Sequence, residues 1–288
     1  MAALASLAAG LVLVGCSSGS GDALGQGTVL HPSWSPDGKR IVFAFATDRG
    51  SEVSVELVDL KTGHMMRLTP KGERAFDPSW SPDGRLIAFH ELSSDAPVPL
   101  ADLYVMDAEG RNTKRIAREA RDAAWSPDGR LVFWEEDYGE PDELRVVRND
   151  GRLQQTIRLR RRFHLRFPFW APDGKRVAFS ANGGSGPTYV TTSAGKVRLL
   201  ARSPIAGGAW SPDWNWVAYV NRKNNDLYVA RFPFAHARRL TSTKEIESSP
   251  SWSRDERRLA FTQAPTDGDG SSLYIITVDG TGMRRVVG

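Results

Sequence analysis

The 288-residue chain holds a single cysteine, Cys16, so it has neither an intramolecular disulfide nor a multi-thiolate zinc site. Its five histidines, His31, His64, His90, His164 and His236, show no ligand spacing and no His-Glu-x-x-His pattern, which predicts no bound metal. Charge of one sign is scarce: 38 Lys+Arg against 34 Asp+Glu leave +4. That is far short of the one-face basic stripe a nucleic-acid binder needs, so no nucleic-acid partner is expected. Helical periodicity is missing beyond the first fifteen residues. Those fifteen are uncharged, yet shorter than the roughly 20 apolar residues that span a bilayer. With 40% hydrophobic and 25% charged residues, the rest reads as an ordinary globular chain.

What is present is a repeat. His31-Pro-Ser-Trp34-Ser-Pro-Asp37-Gly38 returns as Asp77-Pro-Ser-Trp80-Ser-Pro-Asp83-Gly84, Trp125-Ser-Pro-Asp128-Gly129 and Trp170-Ala-Pro-Asp173-Gly174. Weaker copies stand at Trp210-Ser-Pro-Asp213 and Trp252-Ser-Arg-Asp255, giving tryptophan spacings of 46, 45, 45, 40 and 42. Seven residues after each tryptophan is Ile41, Ile87, Val132, Val177, Val217 or Leu259; nine after it is Phe43, Phe89, Trp134, Phe179, Tyr219 or Phe261. At period 2 these positions share a strand face, which predicts that both point into the core in every copy.

Each copy divides into four short strands. Pro-Ser-Trp opens it, Ser-Pro-Asp-Gly turns, and an Ile-Ala-Phe segment follows. A Leu103-Tyr-Val-Met-Asp107 type segment and a strand ending like Arg67-Leu68-Thr69 complete it. Four strands per 40–46-residue unit, six times over, predict an all-β, six-bladed propeller with four antiparallel strands per blade, over residues 30–288. Residues 1–15 read as a signal peptide and 16–29, Ser/Gly-rich, as a flexible tether.

The Trp-Ser-Pro-Asp-Gly-Lys/Arg-x-Ile/Val-Ala-Phe repeat, with Leu-Tyr-Val-x-Asp and Arg-Leu-Thr, resembles the TolB-type, WD-like propeller repeat. The resemblance implies a propeller alone, without the α/β domain that precedes it in TolB. It also implies a partner docking over the channel mouth, an envelope protein such as a peptidoglycan-associated lipoprotein. Leu13-Val14-Gly15-Cys16 resembles the bacterial lipobox, although no Lys or Arg precedes its apolar run. That likeness implies acyl chains on Cys16 and hence membrane attachment. Ser17 after the cysteine implies export to the periplasmic side of the outer membrane in a Gram-negative host.

Candidate chemistry is sparse. Asp37, Asp83, Asp128, Asp173, Asp213 and Asp255 read as turn residues, not as a carboxylate ring. Gly15-Cys16-Ser17-Ser18-Gly19 matches Gly-x-Ser-x-Gly in form only, because it overlaps the lipobox. Asp267-Gly-Asp269-Gly-Ser271 opens like a calcium loop, but Val278 stands at the twelfth position. No catalytic constellation and no cofactor motif is found. Arg160, Arg161, Arg162, His164 and Arg166, interleaved with Phe163, Phe167 and Phe169, form a basic aromatic run of the composition enriched at protein interfaces. An acidic loop lies at Glu135–Glu143. The residues three before each tryptophan, His31, Asp77, Asp122, Phe167, Gly207 and Ser249, are expected at the channel mouth, with Arg121 and Arg166 beside two of them. The leading expectation is a non-enzymatic protein-binding propeller. The alternative is an enzyme or glycan/peptide binder using channel carboxylates such as Asp77 and Asp122.

Overall fold

The protein's structure is a computed structural model that describes residues 27–47, 52–92, 101–135, 143–160, 162–202, 208–232, 235–266 and 270–288, with backbone only at Arg121 and Ala235. Cys16, Arg161, Gly207 and Asp267–Asp269 fall outside the described residues. Six four-stranded antiparallel sheets follow one another along the chain, each made of consecutive strands. The all-β, six-bladed propeller expected from the repeat is the fold. Its inner strands are Gly27–Trp34, Ala75–Trp80, Ala120–Trp125, Arg166–Trp170, Ala209–Trp210 and Ile246–Trp252, each ending on the repeat tryptophan. The first begins at Gly27, inside the stretch read as tether. Among the described residues the one helical piece is the 3-10 turn Asn182–Gly184.

The Ser-Pro-Asp-Gly turn closes on its own side chains. Ser35 Oγ donates to Asp37 Oδ1 at 2.6 Å and accepts the Arg40 amide at 2.9 Å, while Gly38 takes φ +68°. The same serine–aspartate bond forms at Ser81–Asp83, Ser126–Asp128, Ser211–Asp213 and Ser253–Asp255. Blade 4 carries Ala171 in place of the serine, and Asp173 instead accepts from Arg176 Nε at 2.8 Å. The turn aspartates therefore shape the backbone.

The second strands bury both shared positions as expected in four blades, where Ile41, Ile87, Val177 and Leu259 are buried with Phe43, Phe89, Phe179 and Phe261; in blade 5 Val217 is buried but Tyr219 only half-buried. Each such phenylalanine contributes on the order of 2–3 kcal/mol by leaving water. Blade 3 departs from the pattern. Its turn is one residue shorter, so Trp125 pairs with Leu131 where Trp34 pairs with Ile41. Leu131 and Phe133 take the shared positions and pack towards Ala88 of blade 2. Val132 and Trp134 are thereby rotated to the opposite face, towards Val177 and Phe179 of blade 4. A one-residue slip in a strand exchanges its faces. Trp134 is not the blade-3 counterpart of Phe43.

Neighbouring blades are joined by indole–carbonyl bonds. Trp125 Nε1 donates to Ser79 O (3.1 Å) and Trp252 Nε1 to Ala209 O (2.9 Å), each one residue before the preceding blade's tryptophan. The ring closes the same way, with Trp34 Nε1 donating to Ser251 O at 3.2 Å. Alongside, Thr28 and Ser271 form a single parallel bridge like that of Val53 and Arg74 between blades 1 and 2. Among the described residues no strand is exchanged between first and last blades, since each sheet is complete within its own segment.

Candidate functional site on the channel wall

The positions three before the tryptophans share an unusual backbone. His31, Asp77, Asp122, Phe167 and Ser249 have φ of 46°, 52°, 48°, 53° and 49°. A left-handed conformation costs a non-glycine residue about 1 kcal/mol or more and persists where surroundings impose it. Strand pairing breaks at the same place, between Leu30 and Ser33, Phe76 and Ser79, Arg166 and Phe169, and Ser248 and Ser251. In these four blades the next residue is proline, which has no N–H for the ladder and is tolerated at bulges. The bulge re-aims the preceding side chain. These residues therefore sit within the inner strands and not in the loops that lead into them.

The re-aimed side chains meet across blades. His31 Nδ1 of blade 1 pairs with Asp77 Oδ1 of blade 2. Arg166 of blade 4 forks onto Asp122 of blade 3, with Nε to Oδ2 at 2.5 Å and Nη2 to Oδ1 at 3.3 Å. Asp122 Oδ2 also accepts Trp134 Nε1 and the Phe167 amide, both at 3.1 Å. Asp122 is thus spent as an anchor. Trp134 is a site residue that the repeat alignment hides, and the shortened blade-3 turn is the signal that betrays it.

The His31–Asp77 pair is the more open of the two, with 47% and 34% of the side chains reachable by solvent against 17% for Arg166 and 9% for Asp122. Surrounding protein pulls the imidazole pKa down, but the Asp77 charge and hydrogen bond, with a smaller pull from Asp122, outweigh it and hold His31 above its ordinary value. Burial pushes Asp77 up, whereas the His31 charge and hydrogen bond, then His90 and Arg166, bring it down to about 2. Groups from blades 1 to 4 thus act on one another electrostatically.

The basic run divides. Arg160, Arg162 and His164 are exposed on the connection into blade 4. Phe163 and Leu165 are buried, Phe163 packing edge-on against Phe179 and Tyr189. Phe167 is 39% exposed, with the Arg166 guanidinium carbon 5.0 Å from its ring centroid. Arg121 lies on the blade-3 inner strand beside Asp122. Among the described residues no three His, Cys, Asp or Glu side chains gather closely enough to hold a metal ion, and no helix is long and apolar enough to cross a membrane.

The family described as TolB beta propeller domain matches residues 23–156, from before the first blade into the last strand of the third. Over these residues the repeat is similar to that family's propeller repeat. The Tol-Pal system protein TolB of Anaeromyxobacter dehalogenans is 36% identical over 115 residues, 38% of this chain and 26% of that protein. That of Francisella tularensis subsp. mediasiatica is 30% identical over 86 residues, 29% of this chain and 20% of its own length. The chain thus spans about a quarter of the length of the curated TolB relatives it matches. Among solved structures, TolB from Acinetobacter baumannii superposes with TM-score 0.67 at 20% identity, over 86% of this chain and 63% of that one. The tricorn protease gives 0.66 at 19% identity, over 91% of this chain and 26% of its own. An oligogalacturonate lyase in complex with manganese gives 0.54 at 17%, over 91% and 77%. At such identities these likenesses establish the propeller and leave function to the site.

Proposed function

We propose that this chain is a non-enzymatic, lipid-anchored propeller of the cell envelope that binds another protein over its channel. The observation that carries this reading is the set of inward-turned bulge residues, with the solvent-reachable His31–Asp77 pair and the exposed Phe167 beside the Arg166–Asp122 fork. A ring with donors, acceptors and one open aromatic suits a protruding partner segment, because loops and bulges on a rigid scaffold present function without reorganising it. Arg160, Arg161, Arg162 and His164, with Arg121, extend the contact as a basic rim that steers an acidic partner surface. The likeness to Tol-Pal system proteins supports an envelope partner, a peptidoglycan-associated lipoprotein among the candidates. The lipobox-like segment supports acylation of Cys16 after residues 1–15 are removed, with residues 16–29 as the tether.

The test is site-specific photo-crosslinking in intact envelopes. A crosslinker at Phe167 should capture one defined envelope protein, and charge reversal of Asp77 to Lys should abolish that capture. Equal capture from a crosslinker at Leu153, on the outer strand of blade 3, would refute the channel as the docking surface. For the anchor, Cys16→Ala should abolish acyl labelling and release the protein from membranes; persistent labelling would refute it.

A further inference from the structure

A second site lies in the seam between blades 2 and 3, and it does not depend on the channel. In blades 2, 4, 5 and 6 the second-strand aromatic is paired across strands with a tyrosine: Phe89 with Tyr104, Phe179 with Tyr189, Tyr219 with Tyr228 and Phe261 with Tyr274. These rings stack with centroids 5.6–6.0 Å apart. In three of the seams the tyrosine also clusters with a fourth-strand aliphatic of the preceding blade: Tyr104 with Leu68, Tyr189 with Ile157 and Tyr274 with Leu240. Blade 1 carries Glu56 at this place, buried and bonded by Ser54 Oγ at 2.7 Å. Blade 3 carries Arg145, opposite Phe133, and the matching aliphatic is Ile116 of blade 2. The ring that fills the other seams is missing here.

A cavity of about 350 Å³ opens at that place. Ile116, Phe133 and Val147 supply apolar wall, while Arg118, Glu119, Glu135 and Arg145 supply charge. Glu135 Oε2 pairs with Arg145 Nη2 at 2.8 Å, and the two side chains stay 31% and 40% reachable by solvent. The pair uses one oxygen and one nitrogen, so Glu135 Oε1 and Arg145 Nη1 remain to meet a ligand. Arg118 and Glu119 are exposed, and among the described residues neither is in an ion pair. The Glu119 amide donates to Asp102 Oδ1 at 3.1 Å, which fixes a backbone at φ +51°. Burial raises the Glu135 pKa; Arg145 draws it down, but the Glu119 and Glu143 charges add to the rise. An incoming ammonium would relieve that crowding of carboxylates.

The chemistry selects the occupant. Two positive and two negative side chains leave the lining without net charge, so a ligand of one sign meets as much repulsion as attraction. A zwitterion matches both signs. The apolar wall disfavours a sugar, whose hydroxyls would lose water there without replacement. It suits a flat ring of the size that a tyrosine occupies in the other seams. We propose that the blade 2–3 cleft binds a free aromatic amino acid, its ring taking the place of the missing tyrosine against Phe133 and Ile116, its ammonium held by Glu135 and Glu119 and its carboxylate by Arg145 and Arg118.

The test uses the full chain labelled with nitrogen-15 and L-phenylalanine as probe. Titration should shift the Ala117, Glu135 and Val147 amide resonances saturably. Arg145→Tyr supplies the residue four other blades carry, so it fills the cleft and keeps the seam packed. Affinity should fall at least tenfold in this variant with no drop in its thermal unfolding midpoint. Glu135→Gln should weaken binding about tenfold and decides the matter if Arg145→Tyr does not fold. Phenylalaninamide lacks the carboxylate and N-acetylphenylalanine the ammonium; each should bind at least tenfold more weakly than phenylalanine. The proposal is overturned if no saturable shift occurs, if both variants bind as wild type, or if either analogue binds as tightly as the amino acid. Equal binding of L-alanine would show that the ring contributes nothing, and overturns it as well.

Discussion

Arg258, in the last blade, lies over the indole of Trp34, in the first, with its guanidinium carbon 4.6 Å from the ring centroid. The arrangement repeats at interior seams, where Arg40 covers Trp80 and Arg130 covers Trp170, each at 4.8 Å. Arg258 Nη2 also donates to Gly38 O at 3.3 Å, as Arg130 Nη2 does to Gly174 O at 2.9 Å. The seam between the first and last blades is therefore held by contacts of the same kind as those interior seams. Arg258→Ala should lower the unfolding free energy by about 1 kcal/mol, from the cation–π contact and one hydrogen bond. Arg40→Ala should cost a similar amount, and chemical denaturation of both variants checks the equivalence.

Protonation of the channel pair has a defined window. His31 is held above 6.5, so its contribution is complete below that value and fades as pH rises through the folded pKa. Asp77 is lowered from 3.8 to about 2, so its contribution is complete above 3.8 and fades as pH falls towards 2. The pair is strongest between those limits, from about pH 4 to 6.5. An NMR titration should place the His31 midpoint above that of a free imidazole, and Asp77→Asn should move it down. An unmoved midpoint would contradict the pairing.

Trp134 is 92% buried by its 8% exposure and gives its one N–H to the Asp122 carboxylate. Trp134→Phe keeps the apolar body and removes that donor. A hydrogen bond to a charged group is worth about 2 kcal/mol, and thermal unfolding should show a loss of that order. Trp216→Phe, on the blade-5 second strand, is the comparison and should cost less.

Two glycines with left-handed backbones separate strain from collision. At Gly129, φ +83°, a methyl group would meet nothing within 4 Å. At Gly110, φ +78°, it would come within 2.7 Å of Leu68 O in the preceding blade. Gly129→Ala should cost about 1 kcal/mol and Gly110→Ala at least twice that, measured by urea denaturation. Equal costs would mean the blade 1–2 seam yields freely.

The repeat makes the fold legible because each turn is specified locally: Ser35, Asp37 and Gly38 bond and bend within one hexapeptide. The channel set was only half legible. Counting back from the tryptophans finds His31, Asp77, Asp122 and Phe167, but not that bulges inside the strands turn them inward. Nor does it show that Arg166 is committed to Asp122 instead of standing free in a basic run. Sequence spacing also aligned Trp134 with Phe43, since both lie nine residues past a tryptophan. One residue missing from a turn moves that ring from one blade seam to the next, a consequence of pleating that composition does not carry.

Because every sheet is complete within its own stretch of chain, and because Trp34 and Arg258 repeat the interior seams, the covalent ends have no privileged position in the ring. Circular permutation that joined Gly288 to Gly27 and opened the chain between any two blades would leave all six sheets whole. The channel pairs, which join blade 1 to 2 and blade 3 to 4, would survive such a cut at the other seams. The architecture thus fixes the order of the blades around the axis while leaving open where along that circle the chain begins.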